Sequence, residues 1–304
     1  MQGARFLFHA RKLGVDFGRT ATIGRQGLYL TPKDFEALAQ TFGETIDADE
    51  AQCIFSRSAG YAEELIKFLG AGEVESFDFS AYEGATHLHD LNKPIPARFR
   101  NRYSAVIDGG SLEHVFNFPQ AIRNCMEMVR VGGHYLGITP ANNFFGHGFY
   151  QFSPELYFSV LTERNGFELT SMVAFEDRPD AHWYAVRSPM EVAGRVTLNN
   201  SAPVYLLVLA RRAAQKAIFE TMPQQSDYAV IWRAQSAVQA KAQGQDARNS
   251  AARISLPRRL ARMFIPARIR WWVRSWQVRP RPGRPGFDPR FFRRFDPAAD
   301  AKAR

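Results

Sequence analysis

Hydrophobic and polar positions change period repeatedly along the chain. Residues 20–30, TATIGRQGLYL, form a β-branched and apolar run broken by Gly24 and Gly27, which predicts a strand followed by a glycine turn. In TPKDFEALAQTF, Thr31 is placed to cap a helix with Pro32 at its first position. Residues 61–69, YAEELIKFL, have helical spacing and stop at GAGE; residues 74–80, VESFDFS, predict a short strand ending near Asp78. A second short strand in 85–96 stops at Asp90, and YSAVIDGG (103–110) reads as a buried strand closing on two glycines. Apolar residues at 122, 125, 126 and 129 predict a helix over 119–131 that ends at Gly132-Gly133. A strand over 134–140 follows, then a helix over 153–169, entered by Ser-Pro-Glu and stopped at Asn165-Gly166. The long apolar strand 203–212 closes the ordered part.

Strands alternating with helices through short glycine turns predict an α/β fold: a Rossmann-like, doubly wound, mainly parallel sheet covered on both faces. Such sheets bind ligands at the carboxyl ends of their strands. Gly24, Asp78, Asp90 and residues 109–114 all fall on that edge.

Composition adds limits. The 304 residues are 45% hydrophobic and 23% charged, enough for one sizeable core and an appendage. Cys53 and Cys125 stand far apart with no CxxC, so a disulfide framework or a cysteine zinc site is not expected and a reducing cytoplasm fits best. The N-terminal run FLF is too short for a signal-peptide core, and no segment offers 18 uninterrupted apolar residues. The net charge of +9 suggests nucleic acid until it is located: residues 253–304 carry 15 Lys/Arg against 3 Asp/Glu, a net of +12, which leaves −3 for the rest.

From about residue 213 the composition shifts to Ala, Gln and Arg. AAQKAIFETM and YAVIWRAQSAVQAKAQ have helical patterns and lead into a flexible linker, GQDARNSAAR. Residues 256–278 set Leu256, Leu260, Phe264, Ile269, Trp272 and Trp276 among six arginines. Such a segment suits an anionic membrane surface, with docking on protein and then nucleic acid as the rival partners. The Pro/Arg-rich remainder is expected to be disordered when free. The expected organisation is an N-terminal helix (1–19), a ligand-binding domain (20–212), a helical linker region (213–252) and a basic tail (253–304).

The stretch YSAVIDGGSLEHVFNFPQAIRNCMEMVRVGGHYLGITPANN resembles the second half of a class I S-adenosylmethionine-dependent methyltransferase, of the type 11-like kind. The likeness lies in Leu112–Val115, the helix 119–131, Arg130–Gly133, a strand ending at Pro140, a lid over 141–152 and the Asn165-Gly166-Phe167 phrase; it spans roughly residues 20–212. The front half departs from the family. Gly24 matches the first glycine of the cofactor turn, but Gln26 replaces the second and Thr22 stands where an acid is usual. Asp78 matches the acid that accepts from both ribose hydroxyls, and Asp90 one beside the adenine, with an inserted helix within 40–60 explaining the long gap from Gly24. The resemblance implies a sheet of seven strands and S-adenosylmethionine as cofactor, held by Gly24, Gly27, Asp78, Asp90, Gly109 and Glu113.

The physical reasons stand apart from the resemblance. A turn glycine lets backbone approach a ligand closely, and a carboxylate, being acceptor-only, fits a vicinal diol. Glu113 and His114 are adjacent, with no further His or Cys at metal-ligand spacing nearby, so no metal site is expected. His114 and His147 are the base candidates, the latter between two glycines in the aromatic lid NNFFGHGFYQ. Asp108 is expected to hold turn donors, and Arg25 to meet a cofactor carboxylate. The function expected is methyl transfer to an oxygen or nitrogen of a small molecule or glycan, in the cytoplasm or at the inner face of the membrane. The alternative is a methyltransferase-like binding or scaffolding protein without cofactor; a nicotinamide oxidoreductase would need a GxGxxG turn that is missing. Vesicle flotation tests the tail: anionic vesicles should carry the full chain upward and leave a form lacking 253–304 behind.

Overall fold

A computed structural model describes residues 1–226, except Ala193, and 286–300. At its centre β1 (Arg19–Ile23) pairs in parallel with β2 (Glu73–Asp78) on one side and β4 (Tyr103–Asp108) on the other. Parallel neighbours extend the sheet outward to β3 (His87–Leu88) and β5 (Val129–Asn142). Beyond β5 the pairing becomes antiparallel, through β8 (Val204–Arg212), β6 (Phe167–Glu176), β7 (Trp183–Val186) and β9 (Phe292–Phe295). The order β3-β2-β1-β4-β5-β8-β6-β7-β9 is a Rossmann-like doubly wound sheet that reverses direction from β1, with nine strands among the described residues rather than the seven expected.

Helices cover both faces, as a sheet buried on two sides requires. On one face α1 (Gln2–Lys12), α2 (Pro32–Thr41), α3 (Ala48–Ser58) and α4 (Glu63–Phe68) bring Phe6, Phe8, Phe35, Ile54 and Leu65 into one core with Ile107 and Leu209. On the other, α5 (Phe118–Met128) and α6 (Pro154–Val160) bury Ile122, Met126 and Tyr157 with Val106 and Val208. The predicted N-terminus of α2 forms a full capping box between Thr31 and Asp34, and α3 is the helix expected within 40–60.

Several boundaries differ from expectation. α5 ends at Met128 rather than at the glycine pair, because Val129 already pairs with Tyr103 and the glycines lie inside a long irregular strand. The helix predicted over 153–169 is confined to Pro154–Val160, and Gly166, at φ 78°, turns the chain into β6. Residues 213–222 are not helical. They fold back irregularly and bury Ile218 and Phe219 in the core. The final Pro/Arg-rich stretch is not wholly disordered, since Phe292 is buried on the sheet and Phe295 packs on Trp183. The expected helix over 228–243, the linker and the membrane-directed segment 256–278 lie outside the described residues. Among those described, no helix is long and apolar enough to cross a membrane.

The first helix and the last strand meet on β7. Trp183 Nε1 donates to Gln2 Oε1 at 2.8 Å, Arg5 lies 3.7 Å from Asp296, and His9 Nδ1 is 3.1 Å from the carbonyl of Pro297, at the start of α7 (Pro297–Asp300).

On β5, burial lowers the His134 imidazole to about 4, the nearby Arg211 adding to the effect and Asp16 opposing it. The folded protein therefore holds this ring neutral where the unfolded chain, with an ordinary pKa near 6.5, takes up a proton. Stability should be full above about pH 6.5 and fall on acidification toward pH 4, by up to about 3 kcal/mol from this residue. Urea titrations across that window should show a shallower acid loss in His134→Gln.

Candidate functional site

The carboxyl ends of β1, β2 and β4 open a crevice, and its shape follows from two tight turns that close on each other. Gly24, at φ 69°, ends β1 and donates its N–H to the Phe77 carbonyl at 2.7 Å. Ser111 Oγ, from the turn after β4, donates to the Ile23 carbonyl at 2.7 Å, and a Cβ on Gly24 would sit 2.8 Å from that oxygen. Asp108 governs the second turn: fully buried, it accepts from the backbone N–H groups of Ser111 at 2.9 Å and Leu112 at 3.3 Å. It is the turn residue that the sequence suggests. Burial and the neighbouring Glu113 push its carboxyl up to about 7.

Two cavities flank these turns, of about 610 and 400 Å³, and Gly24, Asp78, Gly110 and Ser111 line both. Gly27 and Gly109 line the larger, with Tyr205 from β8 on its far wall. Asp90 and His114 line the smaller, with Phe79. Among the described residues, only the Ser80 N–H donates to the Asp78 carboxylate, at 3.1 Å, so this acceptor faces the crevice with lone pairs to spare. Asp90 is more committed: Asn92 donates to it from backbone and side chain at 3.0 and 2.8 Å, and these bonds draw its carboxyl below the usual range. Its first task is to shape the loop.

Arg25, on the wall of the larger cavity, is held by Glu63 at 2.6 Å, by the Glu83 carbonyl at 3.0 Å and by stacking 3.8 Å from the Tyr61 ring centre, which ties the turn to α4. Glu113 lines neither cavity. It is fully buried beneath the lid, where loss of solvent raises its carboxyl to about 7, and among the described residues neither carboxylate oxygen has a hydrogen-bond partner.

The lid is anchored directly over Glu113 and His114. Phe149 N–H donates to the Glu113 carbonyl at 2.8 Å, Tyr150 OH to the Phe116 carbonyl at 2.7 Å, and Phe144 stacks edge-on against Tyr205 with ring centres 4.6 Å apart. This brings His147 to 5.0 Å from His114, ring to ring, and places its Nε2 3.5 Å from Glu113 Oε1. Burial, with His147 as a second cause, lowers His114 below the ordinary histidine range. The two base candidates thus share one corner of the crevice.

Sequence reasoning missed the positions of Gln26, Ser111 and Tyr205. Gln26 folds over Gly109 so closely that a Cβ there would overlap its side chain, and its amide donates to the Ile23 carbonyl. A polar residue in a glycine turn was the available signal. Tyr205 had none, since it reads as one more apolar residue of a buried strand.

No family model matches the chain, and no curated protein does. Solved structures similar to it include 1,6-didemethyltoxoflavin-N1-methyltransferase of Burkholderia thailandensis, solved with 1,6-didemethyltoxoflavin and S-adenosylhomocysteine, at 14% identity over 70% of this chain and 78% of that one, with a TM-score of 0.37. Another is the trans-methyltransferase CalH in complex with S-adenosylhomocysteine, at 13% identity over 69% of this chain and 55% of that one, with a TM-score of 0.37. What the site can do chemically is therefore argued from its own residues.

The turn at Gly24 offers a direct check. Gly24→Ala adds a Cβ at a positive φ and against Ser111 Oγ, which should cost about 1–3 kcal/mol. Thermal unfolding should register that loss, with Gly146→Ala, which meets open space, nearly neutral.

Proposed function

We propose that the chain is an S-adenosylmethionine-dependent methyltransferase acting on an oxygen or nitrogen nucleophile of a small molecule or glycan. The observation that carries this reading is the convergence of Gly24, Asp78, Gly110 and Ser111 on both cavities at the point where the sheet reverses direction, the place where doubly wound folds hold nucleotide-like ligands. The residues fit such a cofactor. Asp78 accepts from a vicinal diol, Phe79 and Asp90 border the space for a base, and the Gly24 turn brings backbone against the remainder. When bound, S-adenosylmethionine supplies a methyl group already activated on a sulfonium.

The residues of the chain are left with positioning and with one proton. Alignment of an acceptor with the methyl group accounts for about 7–11 kcal/mol of barrier lowering in well-oriented reactions. The leaving group would be a neutral sulfide, so no residue of the chain would have to stabilise charge on it. The proton of the acceptor passes to an imidazole, and His114, lining the smaller cavity with its pKa lowered by burial, is suited to take it, a contribution on the order of 10²–10⁴ in rate. His147 closes that corner from the lid, whose Gly146 and Gly148 flank it as hinges.

One observation favours a second reading, a binding or scaffolding protein without cofactor: Gln26 folds across Gly109 in the same crevice. Calorimetry separates the two. S-adenosylmethionine should bind the purified chain, and Asp78→Ala should weaken binding at least about tenfold through loss of the diol contact, equivalent to 1.4 kcal/mol. No heat at millimolar cofactor would leave only the second reading.

A further inference from the structure

Glu113, His114 and His147 sit together for a reason that a turn and a lid do not supply. One ligating atom from each, a carboxylate oxygen and two imidazole nitrogens, lies within 4.8 Å of the others. Glu113 and His114 belong to the short 3-10 turn after β4, Leu112–His114, and His147 arrives from the loop after β5. Spacing along the chain argued against a metal because adjacent residues diverge in regular elements and no partner stood nearby. The tight turn and the anchored lid remove both objections.

The decisive feature is the Glu113 carboxylate. It is fully buried, and among the described residues neither oxygen has a hydrogen-bond partner; the facing nitrogen, His147 Nε2, stands 3.5 Å away, beyond hydrogen-bond length. A buried carboxylate left without donors is costly, and native structures seldom keep one unless an ion or a proton compensates it. The residue is not spent elsewhere, since it lines neither cavity. We propose that Glu113, His114 and His147 bind a divalent transition-metal ion of the zinc type, with its open position toward the smaller cavity that His114 lines.

The donor set selects the class of ion. Two imidazoles and one carboxylate suit zinc and its borderline neighbours, whereas calcium and magnesium prefer oxygen ligands throughout. Three protein ligands leave a fourth position for water or for a substrate atom. Ligands about 2.1 Å from a tetrahedral ion lie about 3.4 Å from one another, so binding asks the cluster to contract by roughly an ångström. The lid can provide that movement: His147 is half exposed between Gly146 and Gly148, and Gly148 already holds φ at 68°. The Phe149 N–H bond to the Glu113 carbonyl fixes the base of the lid while its tip moves.

The site stands independently of methyl transfer. If both exist, His114 serves as a ligand in place of its role as base, and an acceptor hydroxyl or amine reaching the smaller cavity takes the open position, where the cation lowers its pKa.

Zinc binding by the full-length chain, purified without a polyhistidine tag and stripped with chelator, tests the proposal. Calorimetry and elemental analysis should find one zinc per chain, with a rise in Tm on zinc addition. Glu113→Gln and His147→Ala should each weaken that binding at least about 100-fold, while His182→Ala, remote on β7's approach, should leave it unchanged. Cobalt substitution should give the intense visible absorption of a four-coordinate site, lost in both variants. Circular dichroism secures the comparison: His147 lies on an exposed lid, so His147→Ala keeps its fold even if Glu113→Gln does not. Equal zinc affinity in wild type and His147→Ala, or no zinc retained by the wild type at micromolar concentration, would overturn the assignment.

Discussion

The turn from Asp108 to His114 is the constraint on which the rest of the site depends. A carboxylate buried at the end of β4 gathers the backbone donors of Ser111 and Leu112. That fixes Ser111, whose hydroxyl then locks the end of β1 through the Ile23 carbonyl. The same turn presents Glu113 and His114 side by side, and the lid hangs from the Glu113 carbonyl. Remove the Asp108 anchor and the two cavities, the glycine turn and the lid lose their common reference. The arrangement is expensive: Asp108 and Glu113 are both buried, and Glu113 adds to the cost of ionising Asp108. Proteins accept such local instability chiefly where a ligand or an ion is to be met.

Much of this was legible from residue order. The strand ends at Gly24, Asp78 and Asp108 follow from apolar runs stopped by glycine or acid, and the Thr31 cap from local side-chain chemistry. What escaped notice had physical causes. β7 and β9 are four residues each and stand among proline and arginine, so alternation had no length in which to declare itself. β5 begins before its glycine pair because pairing to β4, a contact distant in sequence, overrides the local helix pattern. Near the crevice, Asp78, His114 and His147 were singled out from strand-end position, family resemblance and residue type. Their grouping was not, because the loop that carries His147 is placed by Phe144 on Tyr205 and by backbone bonds to Glu113, neither of which has a local signature. The partners of Arg25 were hidden for a related reason, since Glu63 and Tyr61 come from α4 and the segment before it.

The antiparallel half of the sheet gives the fold a second character. β8 enters between β5 and β6 and buries the longest apolar strand of the chain beside the parallel core. From there β7 and β9 extend outward, and α1 packs across them through Phe6, Trp183 and Phe295. The opening helix and β9 therefore complete one layer, although nearly 280 residues lie between them.

That closure has a consequence for the order of events on the ribosome. β7 is synthesised roughly a hundred residues before β9, an interval on the order of ten seconds at ordinary translation rates. Until β9 arrives, β7 is an edge strand with unpaired amides, and it contains Trp183, a residue buried in the finished fold. An exposed edge of that kind invites pairing with other chains. The arginines of β9 are exposed on its outer side, so the strand that finally covers β7 also replaces an adhesive rim with a charged one.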